Sequence, residues 1–107
     1  MADRVPHLYW DDVTEDKLWV HGLTIDHALE VARGSPIIKR QAAQLEEGQN
    51  GEIRMRPIRL LLIGPDRSNR VLTFVLEYPQ HGHDSRIVTG WTSGSKERAW
   101  YHQRKSK

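Results

Sequence analysis

Three runs of strand-forming residues, joined by connections too short for a crossover, restrict this chain more than any other feature. They span Arg59 to Ile63, Arg70 to Tyr78 and Arg86 to Trp91. Gly64-Pro65-Asp66 and Ser68-Asn69 separate the first two, and Pro79 with the polar stretch through Asp84 separates the last two. A parallel return needs a dozen or more residues, so these strands are expected to form an antiparallel meander. In the second run Leu72, Phe74, Leu76 and Tyr78 share one face, with Thr73 and Glu77 on the other, as in a sheet with one greasy side. The first run is apolar on both faces and reads as a central strand. Leu8 to Trp10 can add a short edge strand.

Helical signals lie on both sides of this block. Asp11 or Asp12 can cap a first helix through Thr14, Leu18 and Trp19 that ends at His21-Gly22. Thr24 can cap a second, in which Ile25, Ala28, Leu29 and Ala32 recur at helical spacing before Gly34 and Pro36 close it. After the last strand, Ser93 or Ser95 can cap a third helix carrying Lys96, Arg98, Trp100 and Tyr101. The expected fold is therefore α+β: two N-terminal helices, a three- to four-stranded antiparallel sheet and a C-terminal helix, with the helices on one face. From 37 to 56 the apolar pattern fades, and Gly48, Asn50 and Gly51 indicate a loop, so this stretch reads as a poorly patterned insertion in a single domain spanning 1–107.

Composition narrows the chemistry. With no cysteine, disulfides and thiolate zinc sites are excluded, which suits a reducing cytoplasm. No apolar run approaches the roughly 20 residues of a membrane helix, and the acidic start is unlike a signal peptide, so a soluble, unprocessed protein without membrane contact is expected. Residues 1 to 30 carry seven acids and two bases, a balance of −5, whereas 31 to 107 carry fourteen bases and seven acids, a balance of +7. Such asymmetry fits a surface for nucleic acid or an acidic partner, and fits an ordinary mixed-charge surface as well.

The end of the chain combines Lys96, Arg98, Arg104, Lys105 and Lys107 with Trp100, Tyr101 and His102, cations and rings that suit single-stranded RNA. The alternative is a solvated helix whose Trp100 faces the core. His21, at a helix end, is a candidate for proton transfer, its protonated form favoured by the dipole. His81-Gly82-His83-Asp84 resembles a metal tract but offers too few ligands for stable zinc, and no metal or cofactor is expected. Asp11, Asp12, Glu15 and Asp16 match capping and dipole preferences.

Several ordered pieces resemble the BrnT family of bacterial toxins. They are Tyr9-Trp10-Asp11-Asp12, His21-Gly22-Leu23-Thr24 with Ala28-Leu29, Arg59 to Gly64, Val71 to Tyr78, and Arg86-Ile87-Val88-Thr89 with Glu97, Arg98 and Tyr101. Together they cover about two thirds of the chain and leave 37 to 56 unmatched. The resemblance implies a RelE-like fold and a ribonuclease toxin of a type II toxin–antitoxin pair, which inhibits translation by cutting RNA without a metal. It implies a cognate antitoxin as partner, RNA as substrate, and contact with DNA only through the antitoxin. On this reading His21, Arg86, Lys96, Arg98 and Tyr101 are the catalytic candidates. Arg59, Thr89, Trp91, Trp100, Arg104 and Lys105 are the RNA-binding candidates. The chain departs from the family at Gly90-Trp91-Thr92, where Ala-Arg-Lys is usual, so two cations are missing at the strand exit. Lys96, Arg98 or Arg86 can compensate, or the domain binds without cutting.

Overall fold

The computed structural model describes residues 5–41, 44–56, 58–79 and 84–105. In chain order the elements are β1 (His7–Tyr9), α1 (Asp12–Val20), α2 (Ile25–Arg33), β2 (Ile37–Gln41), β3 (Gln44–Glu47), β4 (Ile53–Arg56), β5 (Arg59–Pro65), β6 (Val71–Glu77), β7 (Asp84–Thr92) and α3 (Ser95–Lys105). The fold is α+β, as the sequence predicts, but the sheet is mixed and five-stranded, ordered β1-β7-β6-β5-β2. The meander β5-β6-β7 forms its centre. Two additions correct the expectation: β1 lies parallel to β7, and β2 pairs with β5. No helix among the described residues is long and apolar enough to cross a membrane.

The helices occupy both faces of the sheet, not one. Leu62, Leu72, Phe74, Leu76 and Ile87 on one face meet Leu18, Leu23, Ala28 and Val31 of the α1–α2 unit to form the main core. Each of these side chains larger than Ala28 contributes about 1.5–3 kcal/mol relative to exposure. Thr14 fixes α1 to β7: its backbone N–H donates to the Asp11 carboxylate, and its hydroxyl donates to the Ile87 carbonyl at 2.7 Å. The first helix thus starts and stops where its capping signals place it, at Asp11 and His21. On the opposite face α3 packs Tyr101 and Trp100 against Ile63, Val71, Ile37 and Leu61.

The stretch read as a patternless insertion contains β2, β3 and β4. Gln44 opposite Arg56 keeps the register of Gln41 opposite Arg59, and the pairing runs on to Glu47 opposite Ile53. At the tip the Gly48 N–H donates to the Glu52 carbonyl, and Gly51 turns the chain at a φ of 75°. Residues 44–56 therefore prolong the β2–β5 pairing beyond the sheet as a two-stranded arm.

Candidate functional site

α3 covers only one end of its face of the sheet. It reaches Ile63, Val71, Ile37 and Leu61 and stops about 7 Å, two residues at roughly 3.3 Å each, short of Arg59 at the other end of β5. There, register places polar side chains in a row across all five strands. Gln41 lies opposite Arg59, Arg59 opposite Glu77, and Tyr9 beside Arg86. The row closes where Arg86 Nε donates to Glu77 Oε1 at 2.7 Å, with Asp11 Oδ2 at 3.7 Å from Arg86 Nη1.

Two features make this row chemically distinctive. By register Glu77 stands between Arg59 and Arg86 on the two adjacent strands, and Arg59 Nη1 is buried without a hydrogen-bond partner. A buried unpaired donor is rare and marks a place where an acceptor is wanted. Glu77 and Asp11 are about half exposed, their side chains at 42% and 54%, so their pairing with Arg86 is a surface interaction worth about 0–1 kcal/mol. A charge-assisted bond from an arginine to a phosphate is stronger, about 1.5–3 kcal/mol, and can displace it. The Asp11 carboxyl is held below the usual aspartate range, first by the Thr14 backbone N–H and side chain and further by Arg86, so it remains an anion beside the row.

The residues expected to form one groove do not converge. Arg86 sits near the start of β7 and Lys96 and Arg98 in the first turn of α3, with about 20 Å of strand between Arg86 and Thr92. Lys96 is exposed, whereas Arg98 Nη1 turns back to the Ser93 carbonyl at 3.3 Å. Tyr101 is buried, its hydroxyl donating to the Ser35 carbonyl at 2.7 Å, and burial raises its pKa above 10.0. It is a core residue rather than a proton donor to substrate. His21 ends α1, across the sheet from α3.

The rings of the final segment are likewise engaged. Trp100 carries Lys39 Nζ at 5.2 Å and Arg104 at 5.4 Å from its centroid, so two cations compete for its faces. Trp91 donates its indole N–H to Glu97 at 3.0 Å. Glu97 also accepts from the Gly94 backbone and the Thr73 hydroxyl, tying the α3 start to β6 and β7. Ser93, a candidate cap, is turned inward onto Thr73. Thr89 lies opposite Val75 on the partly open floor between α3 and the row, and Lys105 is exposed at the end of α3.

Of the RNA-binding candidates, Arg59 and Thr89 therefore share this surface with Arg86. Glu77 and Tyr9 are the members that residue typing passed over, although Glu77 was already visible as the charge facing away from Leu72, Phe74 and Leu76. His81, Gly82 and His83 of the metal-like tract lie outside the described residues, while Asp84 pairs with His7 at 3.2 Å. Among the described residues no three His, Asp or Glu groups gather as a metal site.

No family model, curated protein or solved structure matches the chain.

Proposed function

We propose that this chain is a toxin-type endoribonuclease that takes a ribose–phosphate strand across the uncovered end of its sheet. The observation that carries this reading is Glu77 flanked by Arg59 and Arg86, with a buried N–H of Arg59 unpaired. RNA supplies its own nucleophile. The 2′-hydroxyl attacks the adjacent phosphorus, the P–O5′ bond breaks, and a 2′,3′-cyclic phosphate and a 5′-hydroxyl result. Glu77 accepts the proton of the attacking hydroxyl, and the half-exposed Tyr9 beside Arg86 protonates the leaving oxygen. Arg59 and Arg86 bind the non-bridging oxygens, on which negative charge grows. The RelE-like assignment belongs to this proposal and rests on the ordered motifs together with a five-stranded sheet that carries α1 and α2 on one face. The partner it calls for is an antitoxin covering the row, with any contact to DNA made by the antitoxin.

The test is cleavage of total RNA in excess chelator. Glu77→Gln is expected to lower the rate by about 100-fold or more, the scale of a lost general base. Arg59→Ala and Arg86→Ala are expected to impair it further, and Arg98→Ala to leave it near wild type. Loss on Arg98→Ala with full activity in Glu77→Gln would refute this site.

One observation favours a second reading. Arg86 is held by two carboxylates, as expected if the row is structural and the domain grips RNA or a partner without cutting. Salt-sensitive RNA binding by wild-type protein without any cleaved product would establish it.

A further inference from the structure

β2 ends the five-stranded sheet, and β3 carries its line onward into the arm, since Gln41 opposite Arg59 and Gln44 opposite Arg56 keep one register. On their outer side neither strand has a neighbour among the described residues, so backbone N–H and C=O groups stand open along both. Such an edge is a template for another strand. Charged side chains of one sign guard an edge against pairing, and Lys39 and Arg40 alone would do so here. The sign changes along this edge, however: β2 bears Lys39 and Arg40, whereas β3 bears Glu46 and Glu47. Lys39 and Glu47 are exposed.

We infer that the chain pairs with a second copy of itself through the outer edge of β2 and β3, joining the two five-stranded sheets into one. A two-fold axis perpendicular to the sheet sets the edges antiparallel and keeps like faces together, so residues directly opposite each other are an even number of positions apart. Within that set a single register brings opposite charges together. Lys39 then falls opposite Glu47 of the second copy and Arg40 opposite its Glu46, and the symmetry repeats both contacts. Registers centred on any of these four residues set like charges against each other. Lys39 Nζ lies 5.2 Å from the Trp100 ring and Arg40 4.7 Å from the Tyr78 ring, and the remaining donors of each cation are left for a carboxylate. An edge contact is small beside the roughly 1,200–2,000 Å² of a standard interface, so the dimer is expected to be weak and concentration-dependent.

Sedimentation velocity from about 10 μM to 1 mM, the span of weak complexes, tests this. The wild-type chain is expected to pass from monomer to dimer. Lys39→Glu with Arg40→Glu makes the edge wholly acidic, and Glu46→Lys with Glu47→Lys makes it wholly basic; each double variant alone should weaken dimerisation at least about tenfold. An equimolar mixture of the two should associate at least as tightly as wild type, a recovery that a folding defect cannot produce. Should either double variant fail to fold by circular dichroism, Glu47→Gln, which removes only a charge, should weaken the dimer about threefold. A wild-type chain that stays monomeric, double variants or Glu47→Gln that dimerise like wild type, or folded double variants whose mixture stays monomeric would overturn the inference.

Discussion

At Gly90 the absence of a side chain has a steric cause. A Cβ built there would collide with the Phe74 ring and press on the Thr73 carbonyl, so an alanine at this position is incompatible with Phe74 as it sits. Gly90→Ala is expected to cost about 1–3 kcal/mol by overpacking, measured by urea denaturation, and Phe74→Leu in the same chain should recover part of that loss. Next to it, the Trp91 indole N–H donates to Glu97. Asp66 provides a second residue-scale test. Burial pushes its carboxyl up, but hydrogen bonds from the Arg70 backbone and side chain and the Ser68 N–H outweigh this and hold it below the ordinary 3.8. A lowered carboxylate pKa stabilises the fold above the unfolded value, and that stabilisation is lost as pH falls through the folded value. Asp66→Asn should therefore destabilise by about 1–3 kcal/mol at pH 7, with the gap from wild type narrowing below about pH 4 in pH-resolved denaturation.

Among the elements, those whose apolar period is satisfied inside the domain were legible in the sequence: α1, α2, α3 and the three meander strands. The capping of α1 was legible too, because Asp11 and Thr14 act locally. What escaped were elements defined by partners distant in sequence. Ile37 to Gln41 shows no clear alternation because it is an edge strand with Ile37 and Ile38 half-buried on opposite faces. In the arm, Leu45, Ile53 and Met55 do lie on one face, but there is no core beneath them and they remain 69%, 73% and 69% exposed. Their apolar character consequently contributes little to folding. Changing all three to threonine should alter the unfolding free energy by about 1 kcal/mol or less, whereas Leu62→Ala, fully buried under α1 and α2, should cost about 2–5 kcal/mol. Chemical denaturation of the two variants decides whether the arm is an appendage or part of the cooperative unit. A large loss from the arm variant would place its apolar face against something the isolated chain already provides.

For the molecule as a whole, the charges of the two chain halves are distributed over both faces of the sheet, with Lys17, Arg33 and Arg40 on the α1–α2 side and Glu77 and Glu97 on the other. The acidic N-terminal residues Glu15, Asp16 and Asp26 lie with the helices of one face. Lys39, Arg59, Arg86 and Arg104 belong to the other, two of them at the row and two at the Trp100 ring. Composition revealed the imbalance but not the side, since which cations share a surface depends on register between strands 18 or more residues apart, Arg59 with Glu77 foremost. That register makes a quantitative demand on RNA binding. If Lys39, Arg59, Arg86 and Arg104 each neutralise one phosphate of a single strand, the affinity should fall with salt at a log–log slope of about −2.8, at −0.7 per phosphate. Between 50 and 200 mM salt this amounts to roughly a 50-fold loss. Arg59→Ala should lower the slope magnitude by about 0.7, as should Lys39→Ala, while Arg98→Ala, whose guanidinium is turned onto Ser93, should leave it unchanged. Filter binding of a short unstructured RNA to the Glu77→Gln protein, across a salt series, measures these slopes without cleavage. A slope unaffected by Arg59→Ala but reduced by Arg98→Ala would move the strand from the open sheet to the start of α3.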